Sequence, residues 1–115
     1  MKEISTEIEY KGKKYKLLFN LNVMEEIQEK YGSVKEWGEL AEPTEGESNV
    51  KALKFGFMTM LNEGIDIANE ENGTNIEPLT LKQVGRMISN LGMAEAQKAL
   101  SNTVVESAKN NEKNE

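Results

Sequence analysis

The spacing of the apolar residues changes near residue 20, and this change restricts the possible folds more than any other feature of the sequence. The even positions from Ile4 to Tyr10 and the odd positions from Tyr15 to Phe19 carry the less polar side chains. A period of two is typical of half-buried β-strands. Lys11-Gly12 separates the two segments, and glycine tolerates the positive φ of a tight turn. We therefore predict an N-terminal β-hairpin, with one face covered by helices because two strands alone are marginally stable.

Beyond Asn20 the apolar residues recur every three or four positions, which is the spacing of amphipathic helices. Capping residues and single glycines divide this region into helices. The expected boundaries are Asn20 or Asn22 to Gly32, Ser33 to about Leu40, Ser48 or Asn49 to Asn72-Gly73, Thr80 to Gly92, and Met93 to about residue 108. Pro43 and Gly46 mark a loop over 42–47. The predicted fold class is α+β and mostly helical: an N-terminal β-hairpin packed on four to five α-helices.

A chain of 115 residues is long enough for one domain and too short for two. We place this domain at residues 1–108, with Phe19, Phe57 and Leu61 in one core. Residues 109–115 contain no apolar side chain, and we expect them to form a disordered polar tail.

The longest predicted helix carries an inward-facing apolar stripe from Val50 to Ala68, and the stripe of the last helix begins at Met93. Gly56 and Gly64 interrupt the long helix, where each costs up to about 1 kcal/mol relative to alanine. Close approach of another backbone, such as that of the hairpin, explains these glycines. A helix contact between two subunits is the alternative.

The sequence contains no cysteine and no histidine. Disulfides, thiolate nucleophiles and histidine general bases are therefore excluded. Carboxylates remain, but Glu25, Glu26 and Glu29 are expected on the outward face of the first helix, where acids keep ordinary pKa values. Glu70-Glu71 lacks the spacing of a calcium loop. We expect no catalytic residue, no metal site and no cofactor, and hence a protein that is not an enzyme.

The chain has 14 basic and 20 acidic residues and a formal net charge of −6. A negative chain is repelled by phosphate backbones, so we expect no nucleic acid partner. No apolar run approaches the roughly 20 residues that span a membrane, and the N-terminus lacks the pattern of a signal peptide. We therefore expect a cytoplasmic protein without a membrane partner.

Three apolar side chains are candidates for contact with a partner protein. Phe55 and Met58 lie away from the main stripe, so the long helix is apolar on two sides. Trp37 lies on a short helix beside the polar loop. Packing within the domain and binding to a partner both explain Phe55 and Met58, whereas core packing is favoured for Trp37. We name Phe55, Met58 and Trp37 as candidate partner-binding residues.

The segment EYKGKKYKLLFNLNVMEEIQEKYGSVKEW resembles the start of the tail assembly chaperones of siphovirus-type phages and prophages of Gram-positive bacteria. In that family a hairpin runs into an apolar-Asn segment and then into a helix that ends in Tyr-Gly-Ser. The matching residues here are Tyr15, Leu17, Phe19, Asn20, Leu21, Tyr31, Gly32 and Ser33. The later segments LNEGIDIANEENG, PLTLKQVGRMI and AEAQKALSNTVVESAK extend the similar layout over nearly the whole chain.

The resemblance implies a chaperone of phage tail morphogenesis. Such a protein binds the tape measure protein, a long helical polypeptide prone to aggregate, and keeps it soluble while tail tube subunits polymerise around it. The tail tube protein is a second candidate partner, and the formation of a homo-oligomer is left open. The family also implies a longer product made by programmed frameshifting. Ala108-Lys109-Asn110 and Glu112-Lys113-Asn114 are compatible with the slippery heptamer A AAA AAC, although an AT-rich genome explains the same residues.

Two other functions fit the sequence. One is a small structural or connector protein that stays in the virion. The other is a host adaptor that binds one specific partner. Purified virions contain a connector but not a chaperone, and the gene of an adaptor lies outside a cluster of morphogenetic genes.

Overall fold

The computed structural model describes residues 5–113, with side chains described through Val105. It confirms the predicted hairpin: β1 (Ser5–Tyr10) pairs antiparallel with β2 (Lys13–Leu18). Lys11 and Gly12 form the turn with φ angles of 51° and 76°. Ile4 of the predicted strand lies outside the described residues.

Within the described residues, five helices follow the hairpin, and the fold is α+β and mostly helical, as predicted. They are α1 (Leu21–Tyr31), α2 (Val34–Ala41), α3 (Val50–Asn72), α4 (Leu81–Leu91) and α5 (Met93–Lys113). Four of them begin at predicted caps, where a side-chain oxygen accepts a hydrogen bond from an amide three residues further on. These caps are Asn20, Ser33, Asn49 and Thr80. Local sequence signals therefore determine where these helices start.

Helix α5 continues to Lys113, beyond the domain boundary that the sequence places at residue 108. No glycine or proline follows Gly92, and the Asn, Glu and Lys residues of this segment do not by themselves terminate a helix. The helix thus includes residues 109–113 of the predicted tail, and the disorder of that tail stays a prediction. Residues 114–115 of that tail lie outside the described residues.

Helix α3 is the central element and packs against β2 and all four other helices. Phe57 and Leu61 are completely buried near its middle, and Phe19 is half-buried against the same core, as predicted. Val50 and Met93, in contrast, are 52% and 43% exposed, so the prediction that they begin inward-facing stripes is wrong. Each is the first residue of its helix, and both line an open cleft between α3 and α4.

The two glycines of α3 are sites of close packing. A Cβ atom at Gly64 would lie 2.6 Å from the carbonyl oxygen of Lys16, so the hairpin backbone passes over this position, as the sequence suggests. At Gly56 the close neighbour is instead the indole ring of Trp37, which is a side chain rather than a backbone. The chain itself therefore explains both glycines, without a second subunit.

Two asparagines of α3 hold the connection that leads to α4. Asn62 accepts from the amide of Leu79 at 2.7 Å and donates to the carbonyl of the same residue at 3.1 Å. Asn69 makes the same pair of hydrogen bonds with Ile76, both at 3.0 Å. Each side chain satisfies one donor and one acceptor of the backbone, as a neighbouring strand would. The polar connection is thus fixed along the surface of α3.

Candidate partner-binding groove

Helices α2 and α5 both pack against α3, and a groove of 260 Å³ remains open between them. Its two walls are apolar stripes with helical spacing, a pattern that places the side chains of each wall on one face. The apolar lining residues are Val34, Trp37 and Ala41 of α2, and Leu100, Val104 and Val105 of α5. Lys35 and Glu42 add one charge of each sign. We call this feature the α2–α5 groove.

Hydrogen bonds hold the residues on both sides of the groove in place. The indole N–H of Trp37 donates to the carbonyl of Ala52 in α3 at 2.8 Å. On the other wall, the side-chain amide of Gln97 donates to the hydroxyl of Ser48 and, at 3.5 Å, to the carbonyl of Ala41. Because a buried indole N–H is costly to leave unpaired, the bond to Ala52 holds Trp37 in its position against α3.

Trp37 forms part of the floor of this groove rather than an exposed anchor. Only 3% of its surface is exposed, and its ring packs on Gly56. The core packing favoured by the sequence is thus what the structure has. The edge of the ring that lines the groove is the part of Trp37 that a ligand in the groove would reach.

Phe55 lies on the face of α3 that α1 covers. Its ring meets that of Tyr31 edge-on, with centroids 5.7 Å apart and planes at 64°. The ammonium group of Lys30 lies 5.1 Å from the Phe55 centroid. Packing within the domain therefore accounts for this second apolar side of α3, and a role of Phe55 in partner binding stays a prediction.

Met58 lies in a different cleft of 350 Å³, beside the acids Glu26, Glu63 and Asp66. The structure therefore does not bring the three candidate residues together in one site. Glu63 accepts hydrogen bonds from the side-chain amides of Asn20 at 2.7 Å and Asn22 at 3.0 Å. Among residues whose side chains are described, no group of three or more acids is arranged to hold a metal ion.

The pKa of Glu26 differs from the ordinary value that the sequence predicts for acids on the outer face of α1. Desolvation by partial burial raises the pKa of its carboxyl group, and repulsion from Glu63, Glu29 and Glu25 raises this pKa further. The sequence shows Glu25 and Glu29 as neighbours on the helix. It does not show that α3 brings Glu63 close to the same carboxylate.

The residues of α5 that line the groove are not predicted as site residues from the sequence. The spacing of Met93, Ala96, Leu100 and Val104 in the sequence predicts a core stripe, and it predicts no site at Val105. Val105 is 46% exposed. The sequence feature that indicates these residues is the pair Val104-Val105, because two adjacent valines widen the apolar face of α5 beyond one stripe.

Comparisons of the chain with known protein families, curated proteins and solved structures found no match. Within residues 5–113, no helix has the combination of length and apolar character that crossing a membrane requires.

Proposed function

We propose that this protein is a tail assembly chaperone that binds a helical segment of the phage tape measure protein and keeps it soluble during tail morphogenesis. The observation that carries the proposal is the α2–α5 groove, which is open between two apolar walls and exposes 46% of Val105. The resemblance over residues 9–37 and the later segments supplies the identity of the client. The protein acts in this proposal by binding alone, in the cytoplasm of the host cell.

The shape of the groove suits a helix rather than an extended strand. A helix in a groove is held by side chains at positions i, i+3, i+4 and i+7, and these fit between two helical walls. A groove of 260 Å³ has room for a few such anchors. Filling it removes apolar surface of both proteins from water, which favours binding by about 25 cal/mol per Å² of apolar surface buried.

The net charge of −6 supports a role in solubility. A tape measure segment that exposes apolar helices aggregates with its own copies. A complex that carries the charge of the chaperone repels other complexes of the same kind. Apolar contact thus provides binding, and charge keeps the complexes apart.

Co-expression of this chain with the tape measure protein of the same phage tests the proposal. We expect the wild-type chain to raise the soluble fraction of the tape measure protein. Val105→Asp should weaken their binding about tenfold or more, because it places a charge in an apolar groove. Leu21→Asp is the matched control: Leu21 is 77% exposed, lies outside the groove and gives the same change in net charge.

Equal effects of the two variants, or no gain in solubility with the wild-type chain, would refute the proposed role of the groove. Thermal unfolding of both variants checks that each is folded. Mass spectrometry of purified virions separates the chaperone from the alternative of a connector, since a chaperone leaves before the particle is complete. Finding the chain in stoichiometric amounts in virions would overturn the assignment as a chaperone.

A further inference from the structure

A third cleft lies between α3 and α4, and its volume of 780 Å³ exceeds that of the two clefts described above. The first residue of α5 and the end of β1 form part of its rim. The residues that line it include Val50, Lys54, Lys82, Arg86, Ile88 and Met93. We call this feature the α3–α4 cleft. The α2–α5 groove shares no lining residue with it.

The charge of this cleft is opposite to that of the molecule. Three cations line it, Lys54, Lys82 and Arg86, and its lining includes no acid, whereas the chain carries a net charge of −6. Among the side chains described through Val105, none forms an ion pair or hydrogen bond with any of these three cations. Unneutralised cations grouped in a concave site attract an anionic ligand more strongly than isolated surface cations do.

The position of Lys54 depends on a glycine of the facing helix. A Cβ atom at Gly85 would lie 3.2 Å from both the Cε and Nζ atoms of Lys54. The lysine side chain therefore lies across α4 at the one place where that helix has no side chain. Lys82 and Arg86 are four residues apart on α4, so they are neighbours on one face of this helix. All three cations therefore belong to the part of the cleft that borders α4.

The same cleft also contains accessible apolar surface. Val50 is 52% exposed and Met93 is 43% exposed, while Leu53 and Ile88 are buried beneath them. A ligand that only carries charge leaves this apolar surface in water. A ligand with acids beside apolar side chains satisfies both parts of the lining.

We propose that the α3–α4 cleft binds an acidic amphipathic helix of a partner protein. Its apolar side chains contact Val50 and Met93, and its carboxylates meet Lys54, Lys82 and Arg86. Nucleic acid fits less well, because its phosphate backbone is repelled by the chain as a whole and offers no counterpart to the apolar surface. This binding does not require that the partner be a tape measure protein, so it stands apart from the function proposed above.

The test uses the full chain and a fluorescent amphipathic peptide of about 18 residues, with leucines on one face and glutamates beside them. A peptide with lysine in place of each glutamate is the control ligand. Anisotropy titrations should show binding of the acidic peptide only, with an affinity that falls as salt is added. Arg86→Glu should weaken this binding about fivefold to tenfold, since reversal replaces an attraction with a repulsion.

Lys98→Glu provides the matched control. Lys98 is also exposed and lies within a helix, it is not part of either groove, and its reversal changes the net charge by the same amount. We expect its affinity for the acidic peptide to stay within about twofold of the wild-type value. Equal weakening by both variants would mean that net charge alone governs the interaction, and this would overturn the site.

The apolar contribution has its own pair of variants. Met93→Ser and Leu21→Ser each replace the first residue of a helix, and only Met93 lines the cleft. Met93→Ser should weaken binding of the acidic peptide, whereas Leu21→Ser should not.

Three outcomes would overturn the proposal: an oligonucleotide that binds more tightly than the peptide, no binding of the peptide at micromolar concentration, or self-association of the chain that Arg86→Glu abolishes. The last outcome, read by sedimentation, would assign the cleft to a second copy of this chain.

Discussion

Thr103 and Thr59 are both buried, but only the hydroxyl of Thr103 is hydrogen-bonded. Thr103 donates to the carbonyl of Ala99 at 2.8 Å and shares a hydrogen bond of 2.6 Å with the hydroxyl of Thr6. Thr59 is 4% exposed, and its hydroxyl has no partner among the described residues. The hydrogen bonds of Thr103 therefore offset the free energy lost when its hydroxyl leaves water, whereas the hydroxyl of Thr59 has no such compensation.

Replacement of each threonine by valine should therefore change stability in opposite directions. We expect Thr59→Val to raise the free energy of unfolding by about 1 kcal/mol, because it removes an unpaired polar group at nearly constant volume. Thr103→Val should lower it by about 1–2 kcal/mol, because it leaves the Thr6 hydroxyl without its partner. Urea unfolding of both variants measures the difference. A loss of stability in Thr59→Val would show that its hydroxyl is paired in solution.

At the scale of single residues, the sequence predicts what depends on near neighbours. The caps at Asn20 and Thr80 bond to amides three positions away, so their pattern is visible in the sequence. The different surroundings of Thr59 and Thr103 are not visible, because the partner Thr6 lies at the other end of the chain. For the same reason, the effect of Glu63 on the Glu26 pKa required the structure.

Helix α3 and the hairpin meet at Gly64, where the carbonyl of Lys16 occupies the space of a side chain. Alanine is favoured over glycine within helices by about 1 kcal/mol. At Gly64 the clash with a backbone atom outweighs this preference, because neither element can move without disturbing the core. We expect Gly64→Ala to lower the free energy of unfolding by about 1–3 kcal/mol.

Gly38→Ala is the control for this prediction. Gly38 lies within α2, and a Cβ atom there would have no neighbour within 4 Å. This change should raise stability by about 0.5–1 kcal/mol through helix propensity alone. Thermal or urea unfolding compares the two variants. If Gly64→Ala stabilises the protein as Gly38→Ala does, the close approach of β2 is wrong.

The existence and order of the elements follow from the periodicity of the sequence, but the contacts between elements do not. The sequence suggests a backbone contact for both glycines of α3, which the structure confirms for Gly64 and corrects for Gly56, where the neighbour is the ring of Trp37. Nor does the sequence show that Val34 and Val105 line the same groove. Candidate site residues depend on which helices become neighbours, and amphipathic stripes alone do not specify this arrangement.

Acidic residues gather where α1 meets α3, and their repulsion makes the stability of the whole molecule depend on pH. The pKa of Glu26 in the folded protein is raised above 4.5, first by desolvation and then by Glu63, Glu29 and Glu25. The folded state therefore binds this proton more tightly than the unfolded chain does. The resulting stabilisation is fully present below the unfolded-state pKa and is lost as pH rises through the folded-state pKa.

Glu26→Gln should therefore raise the melting temperature at pH 7, where the wild-type carboxylate is charged, and the gain should vanish below about pH 4. Glu45→Gln, an exposed substitution in the loop after α2, reports the effect of the same change in net charge. Differential scanning calorimetry across this pH range measures both variants. If the melting temperature rises equally in both variants, or if the rise persists at low pH, the effect does not come from the surroundings of Glu26.

The two asparagines on α3 have a consequence for how the chain can change in length. Asn62 and Asn69 bond to Leu79 and Ile76, so the connection between α3 and α4 must keep its register with the helix surface. Added residues between 76 and 79 break at least one of these pairs. The loop at 44–47 has no comparable tie to a helix side chain among the described residues. We therefore expect the loop at 44–47 to tolerate a reporter tag or an evolutionary insertion, and the connection at 76–79 to reject one.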